Sequence, residues 1–319
     1  MNERDRSIPP ADPPPLPRVL VLLATRNGAD WIGKQLDSVL RQEGVNLQVD
    51  VRDDASSDDT RAIVAARSNQ DPRIRLDPDH EGSGSASGNF FRLIGAARPG
   101  WGEYVAFCDQ DDEWFSDKLQ RAISLMTASG ADGYSAAVLA RWPDGREKLI
   151  LQNRRKRDAD YLFEGAGQGC TFVITARLFE QLRAALGRGD STAPKLHYHD
   201  WLVYAIARAR KLNWIFDERP SMIYRQHAAN DTGARNSFAG VARRLALIRE
   251  GWYRGQVDAL VAYLESVGAG SVHTARWRVL SAQRGLIGAA RRLLFVARYG
   301  RRRLSDRAIQ LIAILCGWL

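Results

Sequence analysis

Two stretches of the chain are apolar almost without interruption: Arg18–Ala24 (RVLVLLA) and Tyr104–Cys108 (YVAFC). They lack the alternation of a strand with one wet face. Such runs belong to strands covered on both sides, as in a parallel sheet between helices. The intervening segments agree. Trp31 to Gln42 carries Ile32, Leu36, Val39 and Leu40 at helical spacing and stops at Gly44. Leu47, Val49 and Val51 alternate as a strand, and Ser56 with Asp59 predicts a capping box for a helix through Arg67. Arg73 to Leu76 reads as a short strand and Gly88 to Ala97 as a helix. Ser116 reads as the cap of a helix ended by Gly130, with Leu119, Ile123 and Met126 on one face. Strands alternating with helices predict right-handed βαβ units and a mostly parallel sheet.

The second half is less regular. Tyr134 to Ala140 and Cys170 to Thr175 read as strands, Ala176 to Leu186 and Tyr198 to Ala209 as helices. Leu212 to Phe216 and Met222 to Tyr224 read as two short strands. Beyond Ser237 the pattern is helical and basic. The expected organisation is a flexible Pro-rich tail over 1–17, an α/β catalytic domain over 18–236 and a helical region over 237–319. The tail has no apolar core stretch, which predicts a cytoplasmic protein rather than a secreted one. Cys108, Cys170 and Cys316 fit neither a zinc pattern nor a disulfide framework and read as buried free thiols.

The second apolar run passes directly into Asp109-Gln110-Asp111-Asp112-Glu113-Trp114. In open α/β sheets, ligands bind in the crevice at the carboxyl ends of the strands. Acids crowded there repel one another, and a divalent cation removes that repulsion. Mg²⁺ and Mn²⁺ both suit carboxylates that share coordination with substrate phosphates. The alternative is a solvated acidic loop. A second acid pair, Asp53-Asp54, also stands where a strand gives way to a helix; it can receive hydrogen bonds from a base or ribose, or simply cap the helix. Asp200 opens an apolar helix, where a carboxylate can be a general base or an acid favoured by the helix dipole. His197, His199 and His227 do not have the spacing of a tetrahedral zinc site.

The ordered set Ala24-Thr25-Arg26-Asn27-Gly28, Asp53-Asp54-x-Ser-x-Asp-x-Thr, Gly88-Asn89-Phe90 and Asp109-x-Asp111-Asp112-x-Trp114 resembles the family-2 inverting glycosyltransferases of the GT-A fold, over roughly Arg18 to Gly233. The run from Asp109 to Trp114 and Tyr224-Arg225-Gln226-His227 further resemble bacterial rhamnosyltransferases of O-antigen and rhamnan assembly. The resemblance implies a Rossmann-like nucleotide-sugar-binding domain followed by a helical extension. It implies that Ala24, Arg26, Asp54, Asn89, Asp109, Gln110 and Arg225 line the donor site, with Asp54 on the nucleobase and Arg225 facing the pyrophosphate. It implies Asp109 and Asp111 as the metal-binding pair, with Asp112 able to replace one of them and His227 reaching the metal. Gly167, Gln168 and Gly169 would form the acceptor-side loop, and Asp200 the catalytic base. The chain departs from the family at Arg26, where an aromatic is usual, and at His199, where an acid often precedes the base. The implied donor is dTDP-rhamnose, with another UDP- or GDP-sugar as the alternative. The implied acceptor is a glycan or polyprenyl-linked glycan of the cell surface.

The formal net charge is +9, and much of the excess falls late, between Arg291 and Arg303. Apolar residues interleave with these arginines, a pattern that suits either a helix packed on the catalytic domain or an interfacial helix at the inner face of a membrane. A nucleic-acid-binding or scaffold protein would also be basic. The acid cluster speaks against phosphate backbones as partners, since carboxylates repel them unless a metal intervenes.

Overall fold

The structure is a computed structural model that describes residues 15–97, 100–152, 155–187, 196–227 and 246–319. Most of the Pro-rich segment and the boundary expected at 236–237 lie outside these residues. The core is one nine-stranded sheet: β1 (Arg18–Thr25), β2 (Asn46–Asp53), β3 (Ile74–Leu76), β4 (Tyr104–Asp109), β5 (Glu113–Trp114), β6 (Gly133–Arg141), β7 (Glu147–Ile150), β8 (Val173–Thr175) and β9 (Trp214–Arg225). Its order is β3-β2-β1-β4-β8-β6-β9-β5, with β7 hydrogen-bonded to β6.

The half from β3 to β4 is parallel and matches the βαβ expectation. Beyond β4 the directions mix: β8 runs against both β4 and β6, while β6 and β9 are parallel to each other. Because β6 is antiparallel to β8, and β8 to β4, the carboxyl ends of β6 and β9 point to the same edge as those of β1, β2 and β4.

Alternate residues of β1 feed two cores. Val19, Val21 and Leu23 pack on one face against α1 (Ile32–Leu40), α2 (Thr60–Gln70) and α4 (Lys118–Ser129). Leu20, Leu22 and Ala24 face the other side, against α3 (Ala86–Ala96), α5 (Ala176–Gly187) and α6 (His199–Ala209). Burial of each such side chain contributes about 1.5–3 kcal/mol, so this strand anchors the fold. The helices α7 (Trp252–Ser266), α8 (Val272–Ala282), α9 (Gly285–Tyr299) and α10 (Leu304–Leu315) add Leu260, Leu264, Trp277, Phe295 and Ile314 to that second core.

Several local expectations need correction. Ser56 is not a helix cap: α2 begins at Thr60, after Asp59, and Ser56 belongs to the preceding turn, where its hydroxyl donates to Asp53. Ser116 is not a cap either, since α4 starts after Asp117 with no side-chain cap bond. Gly130 does end α4, in the left-handed conformation at φ 60°. The two short strands expected over 212–224 are one, β9, carried past Pro220 by irregular pairing with β6. Cys170 lies in a 3-10 turn (Gly169–Thr171) before β8 rather than in the strand. Cys108 and Cys170 are buried, but Cys316 is exposed.

The C-terminal helices are tied to the sheet domain by a buried charge cluster. Asp160 is fully buried and accepts hydrogen bonds from the Tyr204 hydroxyl, from Arg208 Nη1 at 3.1 Å and from Arg302 Nη1 at 3.2 Å. Arg302 also donates through Nη2 to the Gly165 carbonyl at 2.6 Å. A buried carboxylate with this many donors offsets its desolvation; removing it takes the shared charge partner from two largely buried guanidinium groups. Asp160→Ala is expected to lower stability by about 3–5 kcal/mol, read as a lower denaturant midpoint. A change within about 0.5 kcal/mol, typical of a surface site, would refute the hub.

Candidate functional site

The strand order reverses at β1, with β2 on one side and β4 on the other. That switch point is where an open α/β sheet leaves a crevice at its carboxyl edge. Ala24 pairs with Asp109 across β1 and β4 and with Arg52 across β1 and β2, so the three strand ends form one rim.

The two acidic motifs do different work there. Asp54 is buried, and its Oδ1 accepts from the Ser83 amide at 2.6 Å and from Arg52 Nη1 at 3.2 Å. Arg52 is itself fully buried and reaches Asp79 at 2.9 Å as well. Asn89 accepts from Arg52 at 3.0 Å through Oδ1, and its amide donates to the carbonyls of Thr25 and Arg52. Its side chain thus braces the Arg52–Asp54 pair at the rim. The rest of the motif clamps the loop after β1. The amides of Asn27, Gly28 and Ala29 donate to Ser56 Oγ, Thr60 Oγ1 and Asp58 Oδ2 at 2.8, 2.7 and 3.0 Å.

Gln110 ties that loop to the acid cluster. Its Oε1 accepts from Thr25 Oγ1 at 2.6 Å and from the Arg26 amide at 2.8 Å, and its Nε2 donates to the Arg26 carbonyl at 3.0 Å. Gln110 is therefore a brace. A Cβ on Gly28 would run into its carboxamide, so a larger residue there would push the brace aside. The Arg26 side chain is exposed on the rim.

Asp109 and Asp111 face the cleft with partial exposure, whereas Asp112 is fully buried behind them. Both Asp112 oxygens lack a hydrogen-bond partner among the described residues. Burial, and then the charges of Asp111 and Asp200, raise the Asp109 carboxyl to about 7. Asp200 therefore shares its field, although the two lie on different elements. Lys118 is buried between them and the core, with Nζ donating to the Cys170 carbonyl at 2.6 Å and lying 3.6 Å from the Trp114 ring centroid. Burial lowers it to about 8.

His227, just past β9, places Nε2 2.8 Å from Asp111 Oδ2. Its ring stacks on Trp31 at 5.1 Å and 11°, and the Arg225 guanidinium lies over the same tryptophan at 5.7 Å. Arg225 Nη2 also donates to Glu113 Oε2 at 3.0 Å. Among the described residues one trio brings its ligand atoms within 4.8 Å of one another, Asp109, Asp112 and Cys170, of which Asp112 and Cys170 are buried. Asp111, paired with the His227 imidazole, stands on the more exposed side of the cluster. An ion that keeps several waters and shares phosphates suits that more exposed side. Asp112 is fully buried behind it.

Asp200 is the second residue of α6, where the helix dipole favours its charged form. The 167–169 loop packs directly on it. A Cβ on Gly169 would come within 3.0 Å of Asp200 Cβ and 2.7 Å of His199 Nε2. Gly167 takes φ +112°, and Gln168 receives a hydrogen bond from Gln152 Nε2. Sequence patterning assigned no role in the site to Arg52, Lys118, Cys170 or Trp31.

His199 is held between Phe90 and Phe107, with ring centroids at 3.9 and 5.9 Å. Burial pushes its pKa down to about 3. The unfolded chain takes up this proton near pH 6.5, so the stability that His199 contributes is complete above that and lost as pH falls toward about 3. His199→Gln is expected to flatten the pH dependence of the urea midpoint across that window. An unchanged slope would rule the assignment out.

The chain is similar to known proteins. The family model Glycosyl transferase family 2 matches residues 20–182. The dTDP-rhamnosyl transferase RfbG of Shigella flexneri is 37% identical over 239 residues, which are 75% of this chain and 83% of that protein. The UDP-Glc:alpha-D-GlcNAc-diphosphoundecaprenol beta-1,3-glucosyltransferase WfgD of Escherichia coli is 35% identical over 167 residues, 50% of this chain and 60% of that one. Among solved structures, S. aureus TarS 1-349 in complex with UDP-GlcNAc aligns over 93% of this chain and 89% of its own with a TM-score of 0.51. At 15% identity that likeness is one of fold.

Proposed function

The chain belongs to glycosyl transferase family 2, and we propose that it transfers rhamnose from dTDP-rhamnose, with inversion, to a glycan or lipid-linked glycan in cell-surface polysaccharide synthesis. The observation that carries the inverting chemistry is the convergence of Asp109, Asp111, Asp200 and His227 on one cleft, although they come from three separate parts of the chain. The rhamnosyl donor is supported by the similarity to the Shigella dTDP-rhamnosyl transferase over most of both chains.

In this reading the base and ribose lie against the 24–28 loop and the Arg52–Asp54 pair. The acceptor hydroxyl approaches from the 167–169 side. Asp200 takes its proton as the oxygen attacks the anomeric carbon. One C–O bond forms on one face as the bond to the leaving diphosphate breaks on the other, which inverts the centre. Arg225, oriented by Glu113 and Trp31, offsets charge building on the diphosphate. Asp109, Asp111 and His227 would hold Mg²⁺ or Mn²⁺, which when bound neutralises the same phosphates. Asp112 and Lys118 set the charge balance behind them.

Two experiments test this. The first is thermal shift with dTDP-rhamnose, UDP-glucose and GDP-mannose, each with Mn²⁺, Mg²⁺ or chelator. The expected result is stabilisation by the dTDP sugar that chelator removes and that Asp111→Ala abolishes; a ligand at 100 times its Kd adds about 2.7 kcal/mol. Stabilisation by UDP-glucose alone would move the donor toward that of the Escherichia coli relative. No response to any nucleotide sugar would overturn the donor site. The second is Asp200→Asn, which should keep donor binding and lose about 10²- to 10⁴-fold in kcat. Full transfer by this variant would remove Asp200 as the base.

A further inference from the structure

Helices α8 and α9 carry a face that nothing else in the described structure covers. α8 exposes Val272 at 75% and Val279 at 57%, with Arg276 beside them. α9 exposes Leu286 at 89% and Ile287 and Leu294 at 72% each, interleaved with Arg291 and Arg298. On α9 the positions 287, 291, 294 and 298 recur at steps of three and four, so they form one stripe. The two helices present a single surface: Arg276, Val279 and Gln283 line a shallow groove together with Arg291 and Leu294.

The charge of this face is one-sided. No Asp or Glu occurs from Val267 to Ser305. Arg291 donates to the neutral Gln283, while Arg276 and Arg298 lie over the rings of Phe295 and Tyr299. Among the described residues none of the three meets a carboxylate. Their charge is therefore left for something outside the chain. A second copy meeting this face about a two-fold axis would set arginine against arginine. A nucleic acid would use the arginines and leave Leu286 and Ile287 in water.

We propose that this face seats the protein on an anionic lipid surface, with Leu286, Ile287, Leu294 and Val279 entering the headgroup layer and the arginines on lipid phosphates. No described helix is long and apolar enough to cross a membrane, so the helices would lie in its plane. The seat is joined to the cleft. At the corner after α9, the Arg302 amide donates to Glu164 and its guanidinium to the Gly165 carbonyl, at the start of the loop that packs on Asp200. The face stands independently of the proposed donor and acceptor, but a lipid-linked acceptor would be presented at that same surface.

The test is co-sedimentation of the full chain with phosphatidylglycerol–phosphatidylcholine vesicles and with phosphatidylcholine alone. Binding should need the anionic lipid and weaken with salt. Arg276→Gln with Arg291→Gln should weaken it roughly 30-fold, about fivefold per arginine. Leu286→Ser with Leu294→Ser should weaken it even at low salt. All four sites are exposed, so the melting temperature and donor-induced thermal shift should not move. An intact donor response with no vesicle binding at low salt overturns the seat and spares the enzyme reading; vesicle binding without any donor response does the reverse. A wild-type dimer that Leu286→Ser with Leu294→Ser makes monomeric, again without vesicle binding, would assign the face to a second copy.

Discussion

Carboxylates that repel one another are held at the edge of a sheet too rigid to let them part. That constraint organises the molecule. Asp109 is fixed by the pairing of β4 with β1, opposite Ala24. Asp111 is fixed by His227, which Trp31 backs. Asp200 arrives on the first turn of α6, where the absence of a side chain at Gly169 lets the neighbouring loop pack against it. Together with burial, their mutual field is enough to hold Asp109 near pH 7. A site built this way is poised for positive charge, and the buried Lys118 supplies part of it from behind.

Much of the first half of the fold was legible because its signals are local. Long apolar runs, helical spacing and turn residues each act within a few residues, and β1, β4 and α3 fall close to where they were expected. The misses have physical reasons. β5 is two residues long and exists only through its pairing with β9, so no periodicity can announce it. β7 is largely exposed and pairs with β6 alone. Ser56 looked like a helix cap because its spacing to Asp59 fits one, yet the loop after β1 competes for the same hydroxyl and wins.

The site residues divide the same way. Asp109 and Asp111 stand out as acids at the end of an apolar strand, whereas Asp200 and His227 are named only through the family resemblance; in the structure His227 meets Asp111, and the Asp200 charge reaches Asp109. Asn89 and Gln110 stand in the right place, but their amides are used up inside the protein. Sequence spacing cannot tell a ligand contact from a brace, because both need a polar side chain at the same rim. Trp31 and Arg52 carry no local signal that separates their roles from those of their neighbours. Their roles come from partners that are distant in sequence: His227 for the one, Asp79 and Asn89 for the other.

The brace at Gln110 makes two recognition events share one part. The same carboxamide grips the loop on which a base would rest and stands between the two acids that would meet a cation. A change on either side of that carboxamide is therefore felt on the other. If the proposed nucleotide and ion both bind here, any effect of one on the other's affinity must be returned by the same factor. Substituting Gln110 would loosen the loop after β1 and the acid segment together.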